Sequence, residues 1–297
     1  MVEIYVVTHK QYSFPKYKIY KPIVAGAFEY DMGSFPGEYI RDDTHMNISN
    51  KHDLYSEYTV TYWIWKNSKA DIVGLNHYRR YFIKGGWFSY FICLFDPAKK
   101  KDSYVLTDSY IEELFNKAGV ECILPKKQWR VNRTLKEEFL GANSSNLLES
   151  TINVVKEFYP EYLPYFTKVL EAKENYQKCI CIMNKKRFDE YCFWIFDIFS
   201  KLEDKGLTGK NREFAFLGER LLNVWVEYKK DVDNLRIKEL FFINTEFSFK
   251  GIKKNHTELF FPKFFKGILV ILTKLGYEMV VDRNKKRIVI QKRKGKI

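Results

Sequence analysis

Short β-branched runs and longer stretches with apolar positions three and four apart alternate through the first part of this chain. Glu3-Ile-Tyr-Val-Val-Thr8 predicts a first strand that stops at His9-Lys10. Ile19 to Ala25, after Pro15, predicts a second. Behind Ser49, a residue suited to capping a helix, Leu54, Tyr55, Tyr58, Tyr62 and Trp65 share one helical face. The turn signal Asn67-Ser68-Lys69 hands over to Ile72, Val73 and Leu75, a buried strand that runs straight into His77-Tyr78-Arg79-Arg80. Strand, loop, strand, helix, strand is the opening of an α/β sheet of the nucleotide-binding kind. In such sheets the carboxyl ends of the strands face the ligand crevice.

The later pattern is more varied. Leu217, Leu221, Leu222 and Trp225 form a helical stripe, with Glu219 projecting from the other side near the helix start. Cys179 and Cys181 alternate along an expected strand and so face one side, as core residues rather than a metal pair. Trp87 to Phe95 is apolar but too short to span a bilayer, and it reads as a packed insertion or as a loop dipping into a membrane surface. Around Pro262, which suits a first helical turn, the residues Phe261, Phe264, Phe265, Ile268, Leu269, Leu272 and Leu275 follow helical spacing, with Lys263, Lys266 and Lys274 off the stripe. Tyr277 to Gln291 predicts a hairpin turning around Arg283-Asn284, followed by a basic end, Lys292-Arg-Lys-Gly-Lys296.

Charge sharpens this division. From Lys250 onward the chain has 14 Lys or Arg against three acidic residues, so residues 250–297 carry +11 of the formal +13. The expected organisation is therefore a catalytic-sized domain over 1–249 and a basic amphipathic extension over 250–297. A basic helix with aromatic residues suits an anionic membrane surface, and the competing reading packs its stripe on the domain. No zinc finger, RNP-type motif or helix-turn-helix spacing accompanies the basic tail, so no specific nucleic-acid partner is expected. The five cysteines, at 93, 122, 179, 181 and 192, are odd in number and lack metal spacing, which predicts reduced thiols in a cytoplasmic protein. Met1-Val-Glu3-Ile has no basic head followed by an apolar run, so no secretory leader is expected, and no spanning helix either.

Two guanidiniums at the end of a buried strand make a strong phosphate site, because each offers planar, permanently charged donors. The plainer alternative pairs Arg79 and Arg80 with acidic neighbours. The blocks Val7-Thr8-His9-Lys10, Tyr20-Lys-Pro22, Asn47-Ile-Ser49, Glu57-Tyr-Thr59, Tyr62-Trp-Ile-Trp-Lys-Asn67 and Gly74-Leu-Asn-His77-Tyr-Arg-Arg-Tyr-Phe82 resemble one bacterial family. The resemblance continues through Ile123-Leu-Pro-Lys-Lys127, Phe188-Asp-Glu-Tyr and Phe216-Leu-Gly-Glu219-Arg-Leu-Leu-Asn-Val-Trp225, and covers residues 1–245 or so. That family was first defined as a domain of unknown function and is associated with capsule, exopolysaccharide and O-antigen synthesis. Three departures stand out. Thr44-His45-Met46-Asn47 lacks a usual Gly-Asp pair, Cys179-Ile180-Cys181-Ile182 replaces an Asn-Met-Phe-Ile run, and Asn143 stands near the place of a usual histidine.

The resemblance implies an α/β, GT-A-like (Rossmann-like) mixed sheet flanked by helices, and a glycosyltransferase using a nucleotide-sugar donor, with galactofuranose transfer in some relatives. It puts Thr8, His9 and Lys10 beside the nucleotide base and ribose, and Asn47, Ser49 and Lys51 near uridine or phosphate. His77, Arg79 and Arg80 would take the diphosphate in place of a metal, because Asn76-His77-Tyr78-Arg79-Arg80 has no Asp-x-Asp. Mn or Mg on Asp42-Asp43 or Asp102 is the alternative; no cofactor is otherwise expected. Glu219 would be the catalytic base, with Gly218 and Arg220 on the acceptor side, where Gly218 lets an acceptor approach closely. The plain reading of Glu219 is a partner for the helix dipole or Arg220. The expected acceptor is a polyprenyl-diphosphate-linked oligosaccharide at the cytoplasmic face of the inner membrane. A non-catalytic assembly protein retaining the fold and a basic nucleic-acid binder are the competing classes.

Overall fold

The computed structural model describes residues 1–31, 33, 35, 39–95, 103–129, 133–207, 211–245, 277–282 and 287–292. The main sheet contains β1 (Val2–Thr8), β2 (Tyr20–Val24), β3 (Ile40–Arg41), β4 (Ile72–His77), β5 (Arg80–Phe82), β6 (Cys122–Pro125), β9 (Cys181–Asn184), β10 (Ile237–Leu240) and β11 (Phe242–Asn244). Two short strands, β7 (Gln128–Trp129) and β8 (Glu174–Asn175), pair separately. The helices are α1 (His52–Tyr55), α2 (Tyr58–Asn67), α3 (Trp87–Phe95), α4 (Asp108–Glu112), α5 (Leu135–Leu140), α6 (Ser145–Phe158), α7 (Leu163–Glu171), α8 (Lys185–Asp204) and α9 (Glu213–Val232).

The strand order is β10-β6-β9-β4-β1-β2-β3, with β5 joined to β4 and β11 to β5. Strands β4, β1, β2 and β3 are mutually parallel, as are β6 and β10; β9 runs antiparallel between the two groups. Register brings the ends of the parallel strands level: Val7 lies opposite both Ile23 and His77, and Thr8 opposite Val24. This shared edge is where the sequence reading expects a ligand. Strands covered on both faces read as continuous apolar runs, and β1 shows why. Tyr5 and Val7 face a core with α2, α8 and α9, whereas Ile4 and Val6 face a second core with Tyr81, Phe82 and Phe242.

The helix expected behind Ser49 is interrupted. Ser49–Lys51 is a 3-10 turn, α1 lasts four residues, and Ser56 breaks the path with φ 47° and ψ −125° before α2 begins. Cys179 likewise lies outside the strand, in a turn at φ 50°, although it and Cys181 reach the same core as expected. All five cysteines are buried free thiols. The C-terminal hairpin pairs β12 (Tyr277–Asp282) with β13 (Arg287–Lys292), Asp282 opposite Arg287. Its turn, the amphipathic stripe from Phe261 to Leu275, the basic end and Asp102 lie outside the described residues.

Candidate active site

At the rim, Tyr78 follows β4 and its ring gathers charge. Lys10 Nζ lies 4.9 Å and the Arg79 guanidinium carbon 5.6 Å from the ring centroid, and His9 meets it edge-on at 5.4 Å. Burial lowers the proton affinity of His9, and Lys10, Arg212, Arg79 and His52 lower it further. Cationic or imidazole groups from four separate segments thus converge on the ends of β1 and β4. Such a concentration of positive charge at a strand rim attracts an anion. Arg212 arrives through the start of α9: its backbone N–H donates to the Asp53 carbonyl (2.8 Å), tying α9 to α1, and its φ is 62°.

The acidic side of the site comes from α9. Glu219 Oε1 accepts from the Lys178 backbone N–H (2.9 Å), and Oε2 accepts from Arg220 Nη1 (3.2 Å). Glu57, just after the Ser56 break, is close enough for the two carboxylates to interact. Burial raises the Glu57 carboxyl above its usual value and the charge of Glu219 adds to this, while its own backbone, Ser56 and Arg212 oppose it. Ser56, Lys178, Cys179, Asn211 and Arg212 all have positive φ without being glycine. Strained backbone of this kind costs roughly 1–3 kcal/mol per residue and concentrates at functional sites. Here the strained residues adjoin Glu57, Glu219 and the cationic rim.

His77 behaves differently from the expectation. Burial pushes its imidazole down to about 3, helped by Arg80, Lys178 and Arg79 and opposed by a hydrogen bond with the Lys178 backbone. Its burial and the neighbouring guanidiniums thus disfavour the charged imidazole in the ligand-free site. The charged groups nearest the Tyr78 ring are Lys10 and Arg79. Arg80 is buried at the start of β5. Among the described residues the end of β4 presents no carboxylate and is flanked by guanidiniums, which does not fit a divalent ion, and no step is routed through a metal. Asp42 is no metal ligand candidate either. It is fully buried and accepts from Gly26 N, Ala27 N, Ser49 Oγ and Thr59 Oγ1, which uses both carboxylate oxygens. Asp43 is paired with Arg41.

The remaining predicted residues divide by what they touch. Thr8 is buried and its hydroxyl donates to the Lys10 carbonyl (2.6 Å), so it shapes the His9-Lys10 loop. Asn47 spends its side chain on its own loop, through Asp43 O, His45 O and Ser49 N. Ser49 holds Asp42. Lys51 is committed to Glu203 at 2.7 and 2.9 Å rather than to the rim. A Cβ on Gly218 would lie 2.4 Å from the Tyr58 ring, so the close approach expected of an acceptor is made by Tyr58 instead. Arg220 is buried, bridging Glu138 and Glu219 and lying over Phe139. It positions Glu219 from within rather than facing an acceptor.

Sequence reasoning missed Arg212, His52 and Lys178. The His52 ring lies 2.7 Å from where a Cβ on Gly26 (φ 65°) would be, and it feels the charges of Asp42 and Arg212. The one available signal for Arg212 was a cation directly before a helical stripe, where the helix dipole favours anions.

The fold defines the class only as an α/β protein whose central sheet is similar to that of a solved glycosyltransferase. The solved WbbM bifunctional glycosyltransferase (apo structure) is similar to this chain with a TM-score of 0.66 and 26% identity, over 83% of this chain and 45% of that one. This chain therefore spans less than half the length of that protein. Its own family is the domain of unknown function DUF4422, to which the chain belongs by a match over residues 3–230. No curated protein matches it.

Proposed function

We propose that this protein transfers a sugar from a nucleoside-diphosphate donor to a glycan acceptor. The observation that carries the reading is the gathering of His9, Lys10 and Arg79 around the Tyr78 ring at the sheet rim, with Arg212 and His52 near enough to depress the His9 imidazole and Glu57 near enough to Glu219 to feel its charge. A diphosphate leaving group needs preorganised positive charge, and here guanidiniums supply it without reorganisation. The acceptor hydroxyl attacks the anomeric carbon and the bond to the diphosphate oxygen breaks. The electron pair leaves with the diphosphate, and Glu219 takes the hydroxyl proton. A carboxylate has about four acceptor sites, so the two hydrogen bonds that orient Glu219 leave room for the acceptor. With Glu219 as the base and no nucleophile assigned among the described residues, the reading is inversion at the sugar carbon.

The finer reading takes UDP as the nucleotide, a hexose such as galactofuranose as the sugar, and a polyprenyl-diphosphate-linked oligosaccharide in capsule, exopolysaccharide or O-antigen synthesis as the acceptor. The site of action would be the cytoplasmic face of the membrane, with the basic 250–297 extension against anionic lipid. A thermal-shift panel of nucleotide sugars identifies the donor. With that donor, Glu219→Gln should lose at least about 100-fold in turnover while keeping the donor-induced shift. Turnover like wild type would remove Glu219 as the base, and no shift from any nucleotide sugar would remove the donor reading.

A further inference from the structure

The sequence reading of Trp87 to Phe95 offered two environments, and α3 has one side for each. Tyr90 and Cys93, three residues apart, are buried, with Tyr90 stacked on Phe241 at 5.0 Å. On the other side Trp87, Phe88 and Ile92 are 40%, 75% and 38% exposed. Phe88 and Ile92 are four residues apart and so stack on one helical face. From Gly85 to Phe95 the chain has no charged side chain. Lysines border the patch instead: Lys84 immediately precedes it, and Lys126 lies 5.3 Å from the Phe241 ring, which itself contacts Trp87 at 5.7 Å.

We propose that the Trp87–Phe88–Ile92 face of α3 inserts into the headgroup boundary of an anionic lipid surface. Interfacial helices combine exposed aromatic and aliphatic side chains with neighbouring basic residues, and tryptophan favours the depth where apolar and polar layers meet. Charge selects the occupant. Lys84 and Lys126 border the patch, so an anionic bilayer complements it, whereas a second copy would bring the same lysines against them. The inference stands apart from the sugar-transfer reading, since it uses none of the rim residues, and apart from the basic tail, since it names a different surface.

The test uses the full chain and vesicles of phosphatidylglycerol with phosphatidylcholine, against phosphatidylcholine alone. Wild type should co-sediment with the anionic vesicles. Phe88→Glu with Ile92→Glu should lower the partition coefficient by roughly tenfold or more, with an unchanged melting midpoint, because both side chains are already exposed. Bromine on the lipid acyl chains should quench wild-type tryptophan emission, and Trp87→Phe should lose part of that quenching. Vesicle binding by the double variant equal to wild type would overturn the proposal, as would quenching indifferent to Trp87→Phe. So would absence of vesicle binding, or a wild-type dimer that the double variant dissolves.

Discussion

Arg212 has its charge at the positive end of a helix dipole and its backbone at φ 62°. The first is unfavourable by some tenths of a kcal/mol and the second by about 1–2 kcal/mol for an L residue. An anion at the rim would offset both, since it would meet the guanidinium and the helix start together. Arg212→Gly should therefore raise the melting midpoint of the ligand-free protein while weakening diphosphate binding about tenfold or more, measured by calorimetry with the nucleotide. Equal affinity in both proteins would place the diphosphate elsewhere. His45 shows the same backbone strain. Its φ is 50°, at the position where the family resemblance has glycine. The chain thus keeps the glycine conformation with a different side chain. His45→Gly should stabilise the protein by about 0.5–1 kcal/mol in denaturant unfolding; a loss of stability would mean that the imidazole makes contacts worth more than the strain.

Among the elements, those with clear periodicity were legible. β1, β2, β4 and α9 fall where apolar runs and stripes predict, because burial on a sheet or helix face dictates those patterns. The break at Ser56 and the left-handed turn at Lys178-Cys179 were not legible. No glycine or proline announces them; beside them Tyr58 reaches Cys179 Sγ (3.3 Å), Tyr191 Oη (3.0 Å) and the notch at Gly218. For the same reason the acceptor reading of Gly218 failed: sequence shows that a glycine permits close approach, not what approaches. Helix α9 is held to its surroundings at its other end by Glu227. Burial alone would raise this carboxyl, but hydrogen bonds from Lys168 on α7 and Lys127 after β6 bring it down to about 2. A depressed carboxylate stabilises the fold above its ordinary value of 4.5, and that contribution is lost as pH falls through about 2. Glu227→Gln should cost about 2 kcal/mol at pH 7 and little at pH 2, read from unfolding curves at both. A pH-independent cost would assign Glu227 a packing role only.

For the whole molecule, the site is assembled from segments far apart in sequence: His9-Lys10, His52 to Glu57, His77 to Arg80, Lys178 and Arg212 to Glu219. The sequence made the His-Tyr-Arg-Arg block visible because its residues are contiguous, but it could not reveal which distant cations would join it. A rim in which guanidiniums carry the phosphate charge should bind nucleoside diphosphate equally with manganese or with a chelator, and less tightly as salt increases. A thermal shift seen only with manganese would transfer the phosphate to a metal site.

One brace reaches this rim from beyond the family-matched region. The match ends at residue 230, yet β11 pairs with β5, and the Thr245 backbone N–H donates to the Arg79 carbonyl at 2.8 Å. Tyr12 in turn meets the Thr245 hydroxyl, joining the loop after β1 to the same clasp. The working boundary of the protein therefore lies past its family boundary: a chain ended soon after α9 would retain every residue of the rim but lose the peptide group that fixes Arg79 in place.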